Sequence, residues 1–145
     1  MKKEKVNLEF KAYPAWMQAE DATYIGDVKW LCRILSTVRC PSYVRNPFTL
    51  ETALHWAAAN DDAEALLILL EHFKVQTADH RGNLPIHWAA AAGSRDAFKI
   101  LQGVPALVGD NVYKKSWIVR NRNGRCAYEI ITGSVDYMDL FIDNA

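Results

Sequence analysis

The sequence predicts an all-α protein, a stack of helix–turn–helix repeats joined by short hairpin loops. Three observations point there. His-Trp-Ala-Ala is written twice in one register, in "TALHWAAAND" from Thr52 and in "LPIHWAAAAG" from Leu84. Each copy is followed by an apolar stretch in matching register, where Leu66, Ile68 and Leu69 align with Phe98, Ile100 and Leu101 as the inward side of a second helix. Polar turn signals then close each stretch, "ADHRGN" at 78–83 and "RNRNGR" at 120–125. A fixed period of this kind marks a solenoid whose units bury their apolar faces against their neighbours.

Taken in order, residues 1–12 form an N-terminal extension, too polar and acidic to read as a signal or transit peptide. Residues 13–49 hold a degenerate unit, "AEDATYIGDVKWLCRIL" at 19–35. Gly26-Asp27 form its turn, and Val28, Trp30, Leu31, Ile34 and Leu35 its apolar face. The two strong copies occupy 50–81 and 82–123, with Asp61 and Gly93 aligned where a tight turn joins the two helices. Residues 124–145 carry a degenerate C-terminal copy, "CAYEIITGSVDYMDLFI", in which Glu129 replaces the histidine. Terminal units face water on one side and are expected to diverge in this way.

The chain resembles the ankyrin-repeat family. That family's pattern is T-P-L-H-x-A-A, a glycine turn, a leucine-rich helix and a D-x-x-G hairpin. "TALHWAAAND" and "LPIHWAAAAG" match the helical part, and "DHRGN" and "NRNGR" match the hairpin. The resemblance implies an ankyrin-type stack and a binding function without catalysis. The chain departs from the pattern in three places. "RNPFTLE" at 45–51 lacks the hairpin Asp and Gly, and "HFK" at 72–74 replaces the Gly-Ala that ends the second helix. An insertion at 103–120 moves the last hairpin from near 113 to 121–124.

The repeated histidines invite a chemical reading, which spacing disfavours. Equivalent positions in successive units lie about 8–10 Å apart. Zinc holds each imidazole nitrogen at about 2.0–2.1 Å, so one ion cannot use both His55 and His87. In the family this histidine ties helix ends to loops. Trp56 and Trp88 either pack between units or form an aromatic stripe on the groove. His72 and His80 read as surface residues, and Cys126 as a small buried side chain. Nucleophile-elbow, phosphate-loop and zinc-protease motifs are absent from the sequence. No enzyme activity, metal, cofactor or small-molecule substrate is expected.

Composition narrows the partner. Apolar residues make up 50% of the 145-residue chain, enough for one cored domain. Lys+Arg and Asp+Glu balance at 17 each, so bulk charge does not call for nucleic acid. The longest apolar run, "AEALLILL", is far too short to enter a membrane as a span. Three cysteines without a CxxC pair suit a reducing, intracellular setting, the cytoplasm first and the nucleus second.

The expected partner is another protein. The resemblance puts His80, Arg81 and Asn83 on one hairpin tip and Arg122, Asn123 and Arg125 on the next, with small residues at the helix ends Ala59, Asn60, Ala91 and Ala92. In the insertion, Lys114, Lys115 and Trp117, beside Tyr113, suit an interface anchor; Trp117 could equally pack back as a cover. Residues 49–72 carry five acidic and no basic side chains, and residues 95–125 carry seven basic against two acidic. That asymmetry would steer a complementary partner, unless the two zones pair internally. Two functions remain open. One is an adaptor or inhibitor holding a partner reversibly; the other is a permanent subunit of a larger assembly.

Overall fold

The computed structural model describes residues 14–38, 44–109 and 112–131. Among them, three helix pairs follow one another: α1 (Ala15–Ile25) with α2 (Val28–Thr37), α3 (Ala53–Ala59) with α4 (Ala63–His72), and α5 (Pro85–Ala92) with α6 (Arg95–Gln102). A last helix, α7 (Ala127–Ile131), opens the C-terminal copy. The extension at 1–12, Cys40 and the "TGSVD" stretch lie outside the described residues.

Each turn follows from local chemistry. Gly26 and Gly93 end α1 and α5 in the left-handed region, at φ 76° and 73°, which glycine enters at no steric cost. Asp61 takes the same role at φ 54°. Asp27 and Asp62 then cap α2 and α4, accepting the Trp30 and Ala65 N–H groups at 3.1 Å each. Pro85 opens α5 at a position where its missing N–H costs nothing.

The first helices, α1, α3, α5 and α7, pack side by side as an inner layer, and α2, α4 and α6 back them more loosely. Leu31, Leu54, Leu66, Leu69, Phe98 and Leu101 are sealed between the layers. Val28, Ile68 and Ile100, expected on the inward face, are only half-buried, because each flanks the stripe that faces the inner helices.

The insertion adds strand structure to the expected all-α stack. Strands β1 (Pro105–Leu107) and β2 (Tyr113–Lys115) pair antiparallel, with Ala106 opposite Lys114, and a 3₁₀ turn follows at Ser116–Ile118. Its anchor is Gln76, which is fully buried. The Gln76 backbone N–H donates to Pro105 and its carbonyl accepts from Leu107, both at 2.9 Å. Its side-chain amide donates to the carbonyls of Leu101 (3.1 Å) and Val104 (3.0 Å) and accepts the Ile86 N–H at 2.9 Å. Ser116, also buried, donates its hydroxyl to Leu101 at 3.0 Å. One glutamine thus joins the end of α6, the start of α5 and the base of the insertion.

Two substitutions test this packing by chemical denaturation. Leu69→Ala or Leu101→Ala should cost ~2–5 kcal/mol as core truncations, and a loss below about half a kcal/mol would contradict the register. Gln76→Leu keeps the volume but strands buried amide and carbonyl groups, each costing about 1–3 kcal/mol. It should also open the 103–120 segment to protease.

Candidate functional site

Three hairpins line up along one edge of the stack, and one device builds all of them. Asp79 accepts the N–H groups of Arg81 and Asn83 on Oδ1, at 2.9 and 2.8 Å. Asn121 does the same for Asn123 and Arg125, both at 3.0 Å. In "RNPFTLE" the part falls to Asn46, which accepts from Phe48 at 2.9 Å and Thr49 at 3.3 Å. Leu50, at φ 64°, stands where the other hairpins have Gly82 and Gly124, a strained position for a branched side chain. The tips are bonded to one another, His80 N–H to the Thr49 carbonyl at 2.8 Å and Arg122 N–H to the Arg81 carbonyl at 3.1 Å. The approach is close enough that a Cβ on Gly82 would lie 2.9 Å from the Arg122 nitrogen.

The histidines fasten this edge to the helices. His55 Nδ1 accepts the Thr52 N–H at 3.1 Å, and its Nε2 donates to the Asn83 carbonyl of the next hairpin at 2.9 Å. His87 accepts from Leu84 at 2.9 Å and donates to Val119 and Arg125 at 3.0 and 3.2 Å. With both nitrogens of each ring committed, the pair is structural, as expected. Burial pulls His55 down to about 4 and lowers His87 as well, partly offset by the carbonyls they contact and by Asp79. Both are neutral imidazoles at neutral pH.

In the first unit Glu20 stands at the histidine's offset from the turn. Burial, then the charges of Glu51 and Asp21, raise its carboxyl to about 7, against the pull of the Trp56 indole. Neither Glu20 Oε1 nor Trp56 Nε1 completes a direct hydrogen bond. Glu129, at the same place in the last unit, pairs with Arg120 at 2.9 Å.

Between the third hairpin and the ends of α3 and α5 lies an open cavity of about 540 Å³. Ala59, Trp88, Ala91, Ala92 and Ile130 form its apolar floor, and Asn83, Asn121, Asn123 and Arg125 its polar rim. Trp88 is fixed by edge-to-face packing on His55 and Trp56, at 5.2 and 5.3 Å between centroids, and by donating to Asp79 at 3.1 Å. The two tryptophans pack between units, and Trp88 alone of the pair also lines the groove.

The anticipated binding residues divide. Asn83, Asn123 and Arg125 converge on the cavity, while His80, Arg81 and Arg122 stand beside it on the tips. Lys114 and Lys115 line a separate depression of about 230 Å³ with Gln102 and Tyr113. Trp117 is half-buried against Tyr128, 6.4 Å between centroids, with Lys115 Nζ 5.9 Å above its ring; it packs back as a cover. Asn121, bonded to Asn83 at 2.8 Å, and Phe48, 85% exposed on the first tip, were missed. Alignment of Asn121 with Asp79 could have revealed the first; the irregular hairpin hid the second.

A family described as ankyrin repeats (three copies) matches residues 18–110. Among 224 solved chains that match, one belongs to the crystal structure of the yeast ribosomal protein Rps3 in complex with its chaperone Yar1. That chain is 24% identical, with a TM-score of 0.68 over 86% of this chain and 87% of its own. The likeness establishes the fold and leaves the choice of partner to the site.

The titrating groups predict two opposed and overlapping pH dependences. Unfolded His55 takes up a proton near its ordinary value of 6.5 and the folded ring only near 4, so stability should fall with pH across that interval. Glu20 has the opposite sign. Its contribution is complete below 4.5 and is lost as pH rises through about 7. Thermal melts of Glu20→Gln should therefore lose the Glu20 decline between pH 4.5 and about 7, gaining stability relative to wild type as pH rises across that interval. A variant less stable than wild type at pH 8 would reject this assignment.

Proposed function

The chain belongs to the ankyrin-repeat family, and from that premise we propose that it is a non-catalytic interaction module, an adaptor or inhibitor that holds a protein partner. One observation carries the reading: the cavity has a floor of small and aromatic side chains and a rim of asparagine and arginine. Such a surface offers apolar burial at its centre and hydrogen-bonding groups around it, the anatomy of a protein interface. Trp88 and Arg125 belong to residue types that dominate binding energy. His80, Arg81 and Arg122 extend the contact along the tips. Lys114 and Lys115 provide a second, weaker contact on the insertion, and Trp117 braces Lys115.

A reversible holding role is in keeping with the yeast complex, in which Yar1 is the chaperone of a ribosomal protein. The free thiols of Cys32 and Cys126 suit an intracellular setting, with the cytoplasm as the first expectation. The alternative, a permanent subunit of an assembly, draws on Tyr24 and Ile25 at the end of α1, which are 71% and 60% exposed. Large apolar side chains there would suit a lasting contact.

The test is capture from native cell extract by the tagged chain at low and high salt. The adaptor reading expects one or two proteins held at low salt and released at high salt. Ala92→Trp, which fills the groove from an exposed position, should abolish capture. Arg122→Glu with Arg125→Glu should weaken it more than Lys114→Glu with Lys115→Glu, and melting temperatures should change little. Capture by Ala92→Trp at wild-type level would remove the groove from the function, and a fixed set of proteins surviving high salt would make the chain a permanent subunit.

A further inference from the structure

Resting on the groove reading above, we infer that the occupant is an acidic, apolar peptide segment of a partner protein, seated with its carboxylates toward the third hairpin. The cavity's charged lining residue is Arg125, and Arg122 and Arg81 stand on the tips beside it. The nearby carboxylates are already engaged. Asp79 is buried, with one oxygen on the Arg81 and Asn83 N–H groups and the other on the Trp88 indole. Glu129 pairs with Arg120. Anionic side chains arriving at this end would therefore meet guanidinium and amide donors, while Leu- or Ile-sized groups fit over Ala91, Ala92 and Ile130.

The opposite end of the groove fixes the direction. There Glu51 and Asp21 lie near enough to Glu20 for their charges to raise its carboxyl, so acidic side chains placed there would be repelled. The segment's carboxylates are confined to the C-terminal half. A single nucleic-acid strand would satisfy the arginines but not the floor. Trp88 is held edge-to-face between His55 and Trp56, alanines leave no second stacking surface, and the chain as a whole carries no net charge.

The test is selection of random peptides displayed on phage against the full chain, with Ala92→Trp and the Arg122→Glu/Arg125→Glu chain run in parallel. Enriched sequences should combine Asp or Glu with Leu, Ile or Phe, and Ala92→Trp should enrich none of them. The arginine variant should shift enrichment to Lys and Arg and weaken the best acidic peptide about tenfold or more by fluorescence polarisation. Basic or uncharged peptides that Ala92→Trp rejects would overturn the acidic occupant and leave the groove standing. Peptides that Ala92→Trp still binds would overturn both readings. No enrichment, or displacement of the peptide by a 20-nucleotide oligouridine, would overturn the inference as well.

Discussion

The rest of this structure depends on a bond between the first helix of each central repeat and the following hairpin, made by a neutral histidine. His55 and His87 each accept the N–H that opens their own helix and donate to a carbonyl of the next hairpin. A buried imidazole suits this because it is donor and acceptor at once and carries no charge to desolvate. Without that link the hairpins would keep their own turns and their bonds to one another but lose their fastening to the helices that floor the cavity. The same burial that depresses these rings should set the acid limit of the stack.

Glutamate takes this position at both ends. Glu129 resolves the exchange by turning outward to Arg120. Glu20 remains half-buried beside Trp56 and Glu51, where only a protonated carboxyl could imitate a histidine by donating. The substitution follows the logic of terminal units, which have a neighbour on one side only and can tolerate a weaker clasp.

What could be read from the sequence tracks how local each signal is. The histidine register, the Gly26, Asp61 and Gly93 turns and the Asp79 and Asn121 hairpins all lie within a few residues of their own partners, and the structure has them as expected. The cavity was half legible: Asn83, Asn123, Arg125 and the alanines followed from repeat position, but Ile130 and the fixed pose of Trp88 depend on packing between units. Gln76 left no trace at all, because its partners Ile86, Leu101, Val104 and Pro105 are brought to it only by the stack. The insertion could be measured from spacing. Its fold back onto Tyr128, which turns Trp117 from an anchor into a cover, is a tertiary outcome. Asn46 went unrecognised because the family pattern looks for aspartate and glycine, whereas the turn asks only for a side-chain oxygen at its first position.

Asp61 has one more effect. Held in the left-handed turn between α3 and α4, its carboxylate reaches the next unit and accepts the Ala97 N–H at 2.9 Å. Ser94 completes the crossing by donating to the Ala59 carbonyl at 3.1 Å. The second and third units are thus joined at their turns as well as through their hairpins, so both sides of the groove are fixed before anything enters it. A site built in advance loses little freedom on binding, which makes collision rather than rearrangement the slow event. Association should then proceed in a single kinetic phase whose rate rises in proportion to partner concentration, with no plateau from a preceding conformational step.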